Sequence, residues 1–329
     1  MVTILEYIWI DNDGKTRSKT MVIETLSGIS LRNLPLWNYD GSSTNQATGN
    51  DSEVILKPIK IIVDPFQHTY DSYLVLCDTW LKNGNPHPDN TRVKALKIFD
   101  KYSNENPRYG LEQEFFLTNP TGIPIAWVNG EPTSQGKYYC SNNLGRECVL
   151  KAFYRCLDAG LHITGMNSEV APSQWEFQIS DYGINAADEM YLMRYILSRT
   201  AAEYEGSISL EPKPVPGDWN GSGCHINFST QKMRDKGGYS HIMNAIQKLS
   251  KTHDLHMKHY GKDNDKRMTG LHETASYDKF TYGVADRSAS IRIPTSTEQN
   301  QYGYLEDRRP AANIDPYICT SLLLKTICE

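Results

Sequence analysis

Five short segments gather acids, arginines and histidine where secondary-structure propensity alone would not place them. Gly110-Leu111-Glu112-Gln113-Glu114-Phe115-Phe116 has the composition of a strand, and side chains two apart in a strand share a face. Glu112 and Glu114 therefore point the same way, about 7 Å apart, the length of two strand rises. Such a pair repels unless one acid is protonated or a cation lies between them, and a metal is the economical answer. For a lone Glu-x-Glu the plain alternative, a solvated edge strand, is the better reading. A second segment, 167–178, shifts that balance. Gln174, Glu176 and Gln178 take one strand face, while Trp175, Phe177 and Ile179 take another that must be core. Glu169 precedes this strand across a turn containing Pro172. Acids flanking a buried aromatic are not casual surface charges.

The third segment runs from Gly217 to Ser229. Its glycine-rich half allows backbone to approach a ligand closely, and His225, Asn227 and Ser229 share one face of the strand that follows. A satisfied core histidine and a ligand histidine both remain open for His225. The fourth, Arg267-Met268-Thr269-Gly270-Leu271-His272-Glu273 and the polar stretch to Ala285, lacks periodicity and reads as a loop able to serve as a lid. In the fifth, 286–310, Arg287, Arg292, Arg308 and Arg309 suit bidentate recognition of phosphate or carboxylate. Surface ion pairs with Glu306 and Asp307 are the alternative. Arg287 and Arg292 are five apart, so Arg287 has to precede any regular strand containing Arg292.

The elements that must position these residues divide the chain in two. The first part, 1–83, is β-rich: Glu6–Ile10 alternates into the hairpin signal Asp11-Asn12-Asp13-Gly14, and 60–63 and 73–77 are further strands. Between them the polar segment 39–46 has almost nothing to bury, which marks a functional loop. Asn83-Gly84-Asn85-Pro86-His87-Pro88 punctuates the chain, and the second part is taken as 84–329. Helices are predicted from an Asp89 or Asn90 cap with Val93, Leu96, Phe99 and Tyr102 inward; over 146–158 with Val149, Phe153, Cys156 and Leu157 inward; and over 186–204 and 239–260. Strands are predicted at 110–117, 174–179, 223–229 and 288–293. His253, His256 and His259 repeat every three residues on a polar helix, without carboxylate or thiol partners, and read as solvated rather than zinc-binding.

Composition excludes several classes. The 329 residues are 39% hydrophobic and 22% charged, values of an ordinary globular chain with room for two domains. No apolar run approaches a membrane span, and the net charge of −5 comes without the basic stripe of a nucleic-acid binder. The amino terminus carries no basic stretch and no small-residue cleavage site, and the seven cysteines form no framework. Together these point to reduced thiols, packed as small core residues, and a cytoplasmic location.

In order along the chain, Asp40-Gly41-Ser42-Ser43, Glu112-Gln113-Glu114, Glu169…Gln174-Trp175-Glu176-Phe177, Asn220-Gly221-Ser222-Gly223-Cys224-His225, Thr269-Gly270-Leu271-His272-Glu273, Arg287-Ser288-Ala289-Ser290-Ile291-Arg292 and Glu306-Asp307-Arg308-Arg309-Pro310 resemble the eukaryotic type of glutamine synthetase. The resemblance covers nearly the whole chain. It implies an α+β fold, with a small amino-terminal β-grasp domain and a larger catalytic domain on a curved antiparallel sheet surrounded by helices. It implies ATP-dependent joining of ammonia to the glutamate side chain through a γ-glutamyl phosphate, with two or more Mg²⁺ or Mn²⁺ ions per site. Carried onto matching positions, Glu114, Glu169 and Glu176 would hold one ion, and Glu112, His225 and Glu306 another. Arg292 and Arg308 would meet phosphate; Arg267, Arg287, Asn220 and Gly221 would hold glutamate or the intermediate. Asn227, Ser229, Arg234, Arg292 and Tyr304 would surround ATP. Asp40 matches the base that deprotonates ammonium, and Glu273 the loop acid that helps hold it. In this family the Asp40 loop reaches a neighbouring subunit, which implies a homo-oligomer, a decamer of two stacked pentameric rings.

Three features depart from that pattern. The chain starts almost at its first strand, without the helical extension that bears on ring stacking. The linker from Cys140 to Gly145 is short. Arg108 stands where a tryptophan is expected near adenine. A sister ligase using a larger amine and a non-catalytic structural relative are the rival functions. Asp40 and Glu273 favour ammonia over the first, and six filled metal positions argue against the second.

Overall fold

The alternating amino-terminal run forms β1 (Val2–Ile10) in the computed structural model, which describes residues 2–24 and 28–329. It turns into β2 (Thr16–Glu24), with Ile10 opposite Thr16. Asp11 shapes the turn by accepting from the amides of Asp13 and Lys15, both at 2.9 Å, while Gly14 takes φ +75°, a value glycine adopts without steric cost. With β3 (Trp37–Asp40), β4 (Glu53–Val63) and β5 (Asp71–Trp80) the strands make a five-stranded sheet in the order β2-β1-β5-β4-β3. Only β1 and β5 run parallel. This is the small sheet expected. One face closes on Leu5, Tyr7, Trp9, Tyr39, Val54 and Leu56. From the other, Ile8, Leu74 and Leu76 enter the large core of the rest of the chain.

Asn90, rather than Asp89, caps α1 (Thr91–Lys101), accepting from the Val93 amide at 3.1 Å. The second sheet is antiparallel except at one edge, in the order β11-β12-β13-β10-β6-β8-β7. Its centre is β6 (Arg108–Thr118), flanked by β8 (Gln174–Tyr182) and β10 (Cys224–Ser229), with β7 (Ile163–Ser168) outside β8 and β9 (Ser207–Ser209) pairing the end of β6. Short strands β11 (Tyr282–Val284), β12 (Ile291–Ile293) and β13 (Leu305–Asp307) complete it. Trp175, Phe177 and Ile179 are fully buried on its apolar face, as predicted, together with α2 (Arg146–Asp158) and α3 (Asn185–Glu203). Arg194 of α3 reaches the underside of β6, donating from Nε at 2.8 Å and Nη2 at 2.6 Å to Gln113 Oε1.

Four expectations need correction. Leu157 is exposed, because α2 buries the stripe Cys148, Val149, Ala152 and Cys156 and turns Leu157 outward. The fourth predicted helix is two: after α4 (Gln231–Arg234), α5 (Tyr239–Lys251) stops at Thr252 and α6 (His253–Met257) begins. The Thr252 hydroxyl bonds to the Lys248 carbonyl at 3.0 Å, the local competition that weakens a helix at threonine. His253 and His256 are buried, not solvated; only His259 faces out. They are satisfied by neighbours: His253 lies 3.1 Å from Arg309 Nη1, and His256 lies 2.7 Å from the Tyr260 hydroxyl. Burial holds His256 neutral, its pKa pushed down to about 3. Finally, only 291–293 of the predicted strand 288–293 is strand, and Arg287 precedes it as required.

Five cysteines are buried and all seven are free; Cys140 and Cys328 are partly exposed. After α7 (Thr295–Asn300), α8 (Pro316–Cys328) closes the chain. Among the described residues no helix is long and apolar enough to cross a membrane.

Candidate active site

Register puts the acids together. Across the middle of the second sheet, Arg292 is opposite Glu306, Glu306 opposite Asn227, His225 opposite Glu112, Glu112 opposite Gln178 and Glu114 opposite Glu176. Directly paired residues share a face, so five strands present one polar surface. Ligand atoms of Glu112, His225 and Glu306 all lie within 4.8 Å of one another. His225 Nδ1 is 3.4 Å from Glu112 and 3.7 Å from Glu306, while its Nε2 is 3.7 Å from Glu114. Burial, and then the positive charge of Arg308, push the His225 pKa well down, leaving a neutral imidazole able to ligate a metal.

Three further acids stand beside this group. Glu114, Glu169 and Glu176 are buried, and what they receive are amide donors: Gly223 N at 2.9 Å and Gln174 Nε2 at 3.1 Å for Glu114, Asn167 Nδ2 at 2.9 Å for Glu169, and Gln178 Nε2 at 2.7 Å for Glu176. Burial, opposed in part by the Gly223 amide, Arg267 and Arg308, raises the Glu114 pKa to about 7. Burial and the neighbouring carboxylates drive Glu169 and Glu176 well up. Five carboxylates and one neutral imidazole are a donor set for hard divalent cations such as Mg²⁺ or Mn²⁺. Their buried negative charge fits such ions.

The arginines divide by task. Arg292 and Arg308 each donate from Nη1 to Glu306 at 2.6 Å, one to each oxygen. The Arg292 Nε is buried without a partner among the described residues, so it can still donate to an anion. Arg267 is buried, with Nε on Asn264 and Nη2 on the carbonyls of Arg308, Arg309 and Pro310. Its Nη1 faces Gly223, where a Cβ would come within 3.0 Å of it. Gly221 has no room at all: a Cβ there would meet the Pro212 carbonyl at 2.3 Å. Asn220 is buried beside it, its amide donating to Gln135 Oε1 at 2.9 Å.

Beyond the acids, Asn227 donates to Glu112 at 2.7 Å, and Tyr304, near Glu112 and Glu306, is half exposed. Ser229 accepts from Arg234, which also donates to the carbonyls of Ser229 and Asn106. Arg108, opposite Ser229, faces Tyr182, which Arg234 also approaches.

The loop after Arg267 brings Glu273 to the same place. His272 and Glu273 both adopt positive φ, +52° and +58°, a conformation costing on the order of 1–3 kcal/mol at a non-glycine residue. Glu273 accepts from the Tyr138 hydroxyl, and Arg287 Nη1 stands 3.6 Å from it. His272 is tied to Asp218 at 2.8 Å and to Gln135 at 3.2 Å. Sequence reasoning missed Tyr138, Gln135 and Asp218 as members of this cluster, because their partners are 54–137 residues away. Asp40 does not join the acids within this chain. It lies exposed at the end of β3, accepting from the amide and hydroxyl of Ser42, bonds that lower its pKa.

Two family models match the chain. The beta-grasp domain of glutamine synthetase matches residues 1–82, and the glutamine synthetase catalytic domain matches residues 88–256. The chain belongs to the glutamine synthetase family. It is therefore a glutamate–ammonia ligase, making glutamine with ATP and a divalent metal. A protein of Acanthamoeba polyphaga mimivirus is 50% identical over 100% of the chain and 95% of its own length. The glutamine synthetases of Kluyveromyces lactis and Saccharomyces cerevisiae are each 48% identical over 99% of the chain, and over 88% and 89% of their own lengths.

Proposed function

We propose that the acidic face of the second sheet is the centre at which this glutamine synthetase moves a phosphoryl group to glutamate and then replaces it with ammonia. The observation that supports it most directly is the register bringing Glu112, His225 and Glu306 within 4.8 Å of one another beside the buried Glu114, Glu169 and Glu176. The first three would hold one Mg²⁺ or Mn²⁺ and the second three another. Bound there, the ions supply Lewis-acid neutralisation of phosphate charge.

The protein's own groups divide the rest of the work. The glutamate side-chain carboxylate attacks the γ-phosphorus of ATP, giving γ-glutamyl phosphate and ADP. Arg292 and Arg308 add fixed positive charge where negative charge accumulates. Arg267, through Nη1, and Arg287, with Asn220 and the backbone at Gly221, hold the amino acid. Asn227, Ser229, Arg234 and Tyr304 line the nucleotide end, with Arg292 reaching its phosphates. Ammonium is not a nucleophile, so a carboxylate must take a proton from it before it displaces phosphate. Asp40 takes that proton, and Glu273 helps hold the ammonium.

Asp40 stands exposed and away from the acids of its own chain, so we assign it to the site of a neighbouring subunit in a ring, two pentameric rings forming the decamer. A division into 1–83 and 84–329 and a cytoplasmic location complete the reading. Phosphate release measured with glutamate, ATP and Mg²⁺ against ammonia, methylamine and no amine tests it. Ammonia-dependent turnover abolished in Glu176→Ala supports the assignment. Preference for methylamine would move the protein to a sister ligase, and no turnover with any amine would end the reading. Mixing inactive Asp40→Ala and Glu176→Ala chains should restore part of the activity if sites are shared. Active monomers would rule sharing out.

A further inference from the structure

We propose that Gln135 is a positioning residue: its side-chain amide locks the loop carrying Glu273 to the segment carrying Asn220 and Gly221, and so sets the ammonium and glutamate sites together. The inference rests on the assignment of Glu273 to ammonium and of Asn220 and Gly221 to the amino acid. Gln135 lies in the irregular stretch 131–139, where three segments far apart in sequence meet.

The stretch is itself anchored. Gly136 N donates to the Val170 carbonyl at 2.9 Å and Tyr139 N to the Ser168 carbonyl at 3.0 Å, on either side of Glu169. Upstream, Glu131 accepts from the Trp219 indole at 2.7 Å, and Trp219 packs edge-on against Trp127 with ring centroids 4.9 Å apart. From this base Gln135 reaches two ways. The Asn220 backbone amide can only donate, so the oxygen of the Gln135 side chain faces it, at 2.9 Å. The side-chain nitrogen then faces His272 Nδ1 at 3.2 Å. That nitrogen can only donate, so Nδ1 accepts and the ring proton sits on Nε2, 2.8 Å from Asp218 Oδ1. Every donor from Asn220 to Asp218 meets an acceptor. Reversing the Gln135 amide would set two donors against each other at Asn220.

The chain of bonds holds a strained turn. His272 and Glu273 stand at φ +52° and +58°, a conformation that persists at such residues only where contacts impose it. The Asp218 side chain is 92% exposed, and a pair that open to water contributes little. Gln135 is partly buried, so its amide is the firmer hold. Losing it frees the turn before Glu273 and leaves the Asn220 amide without its acceptor. Tyr138 supplies the comparison: among the described residues it bonds to Glu273 and not to the Asn220 segment.

Initial-rate kinetics of the full-length enzyme, with glutamate and ammonium varied separately, test the lock. Gln135→Leu should raise KM for glutamate and KM for ammonium together, each about fivefold, with kcat falling no more than about twofold. Gln135→Glu keeps an acceptor for Asn220, so its glutamate KM should stay within about twofold of the wild type. Toward His272 its carboxylate meets the Nδ1 lone pair, unless the imidazole is protonated and donates to it. Relative to the wild type at each pH, its ammonium KM should be unchanged at about pH 6 and raised about fivefold at about pH 9. The charged groups around that imidazole are Asp218 on Nε2, Arg308 on the Glu273 carbonyl at 3.3 Å, and Arg287 at 3.6 Å from the Glu273 carboxylate. Both arginines keep their charge over this range. A rise in ammonium KM alone in Gln135→Leu would overturn the lock, and so would a pH-independent ratio in Gln135→Glu. Glu273→Gln, run alongside, separates the inference from the assignment beneath it. If it leaves ammonium KM unchanged, the role of Glu273 fails and the lock with it. If it raises ammonium KM while Gln135→Leu alters neither constant, only the lock fails.

Discussion

Glu306 and Glu176 lie three strands apart on one face of one sheet, and the protein treats them in opposite ways. Glu306 receives two guanidinium groups, each at 2.6 Å. Glu176 receives one neutral amide at 2.7 Å, and its neighbours Glu114 and Glu169 likewise hold amide donors. One flank therefore carries its own countercharge. The other depends on protons or on an ion from solution, since buried carboxylates without a cation are costly. The difference teaches that stability and activity are separable on this surface.

The largest effect should come from the uncompensated flank. Glu176→Gln should reduce turnover on the order of 10³-fold, about 4 kcal/mol of transition-state stabilisation, while leaving the metal-free protein no less stable in urea. A drop in metal-free stability would break the comparison. Glu306→Gln should do the reverse in EDTA, costing about 3 kcal/mol of unfolding free energy because two guanidinium groups lose their partner.

The pH dependence follows with a definite sign. Glu114 has its pKa raised to about 7, and Glu169 and Glu176 are raised as well. The metal-free folded state then binds more protons than the unfolded chain between the ordinary carboxylate range and neutrality. Its stability falls as pH rises through that window, on the order of 1 kcal/mol per pH unit for each such group. Divalent ions replace those protons. The rise in Tm on adding Mn²⁺ should be small at pH 5 and grow steadily toward pH 7.5. Calorimetry in buffers of different ionisation enthalpy should show protons released on binding. The smallest effect concerns Tyr138, whose hydroxyl donates to Glu273. Tyr138→Phe should raise KM for ammonium about fivefold, roughly 1 kcal/mol, with kcat nearly kept.

Much of the site was legible in the sequence because strands write a two-residue period. Glu112/Glu114 and Gln174/Glu176/Gln178 could be assigned faces without a structure, and β6 and β8 carry them as expected. Pairing register could not be read that way. It brings Glu306 into the group from β13, a three-residue strand too short to leave a pattern. The histidines of α6 misled for a related reason. They looked like a solvated polar face, but Arg309 and Tyr260 supply polar partners that allow burial. Arg309 and Asp307 form a fully buried ion pair there, and Tyr260 donates to the same Asp307. Arg267 was assigned wholly to substrate, yet three backbone carbonyls occupy its Nη2. Nothing local to Arg267 announces those partners, which lie more than forty residues on.

The face of the first sheet that meets the rest of the chain has a consequence for biosynthesis. Ile8, Leu74 and Leu76 are covered only when the later part of the chain is in place, including α3, whose Tyr195 and Arg199 bond to Glu6. A ribosome adding residues at about 5–20 per second needs on the order of ten seconds to pass from the end of β5 to the end of α3. Through that interval the small sheet can close one apolar face on itself while the other waits uncovered. The nascent chain is then most exposed to chaperone capture or aggregation.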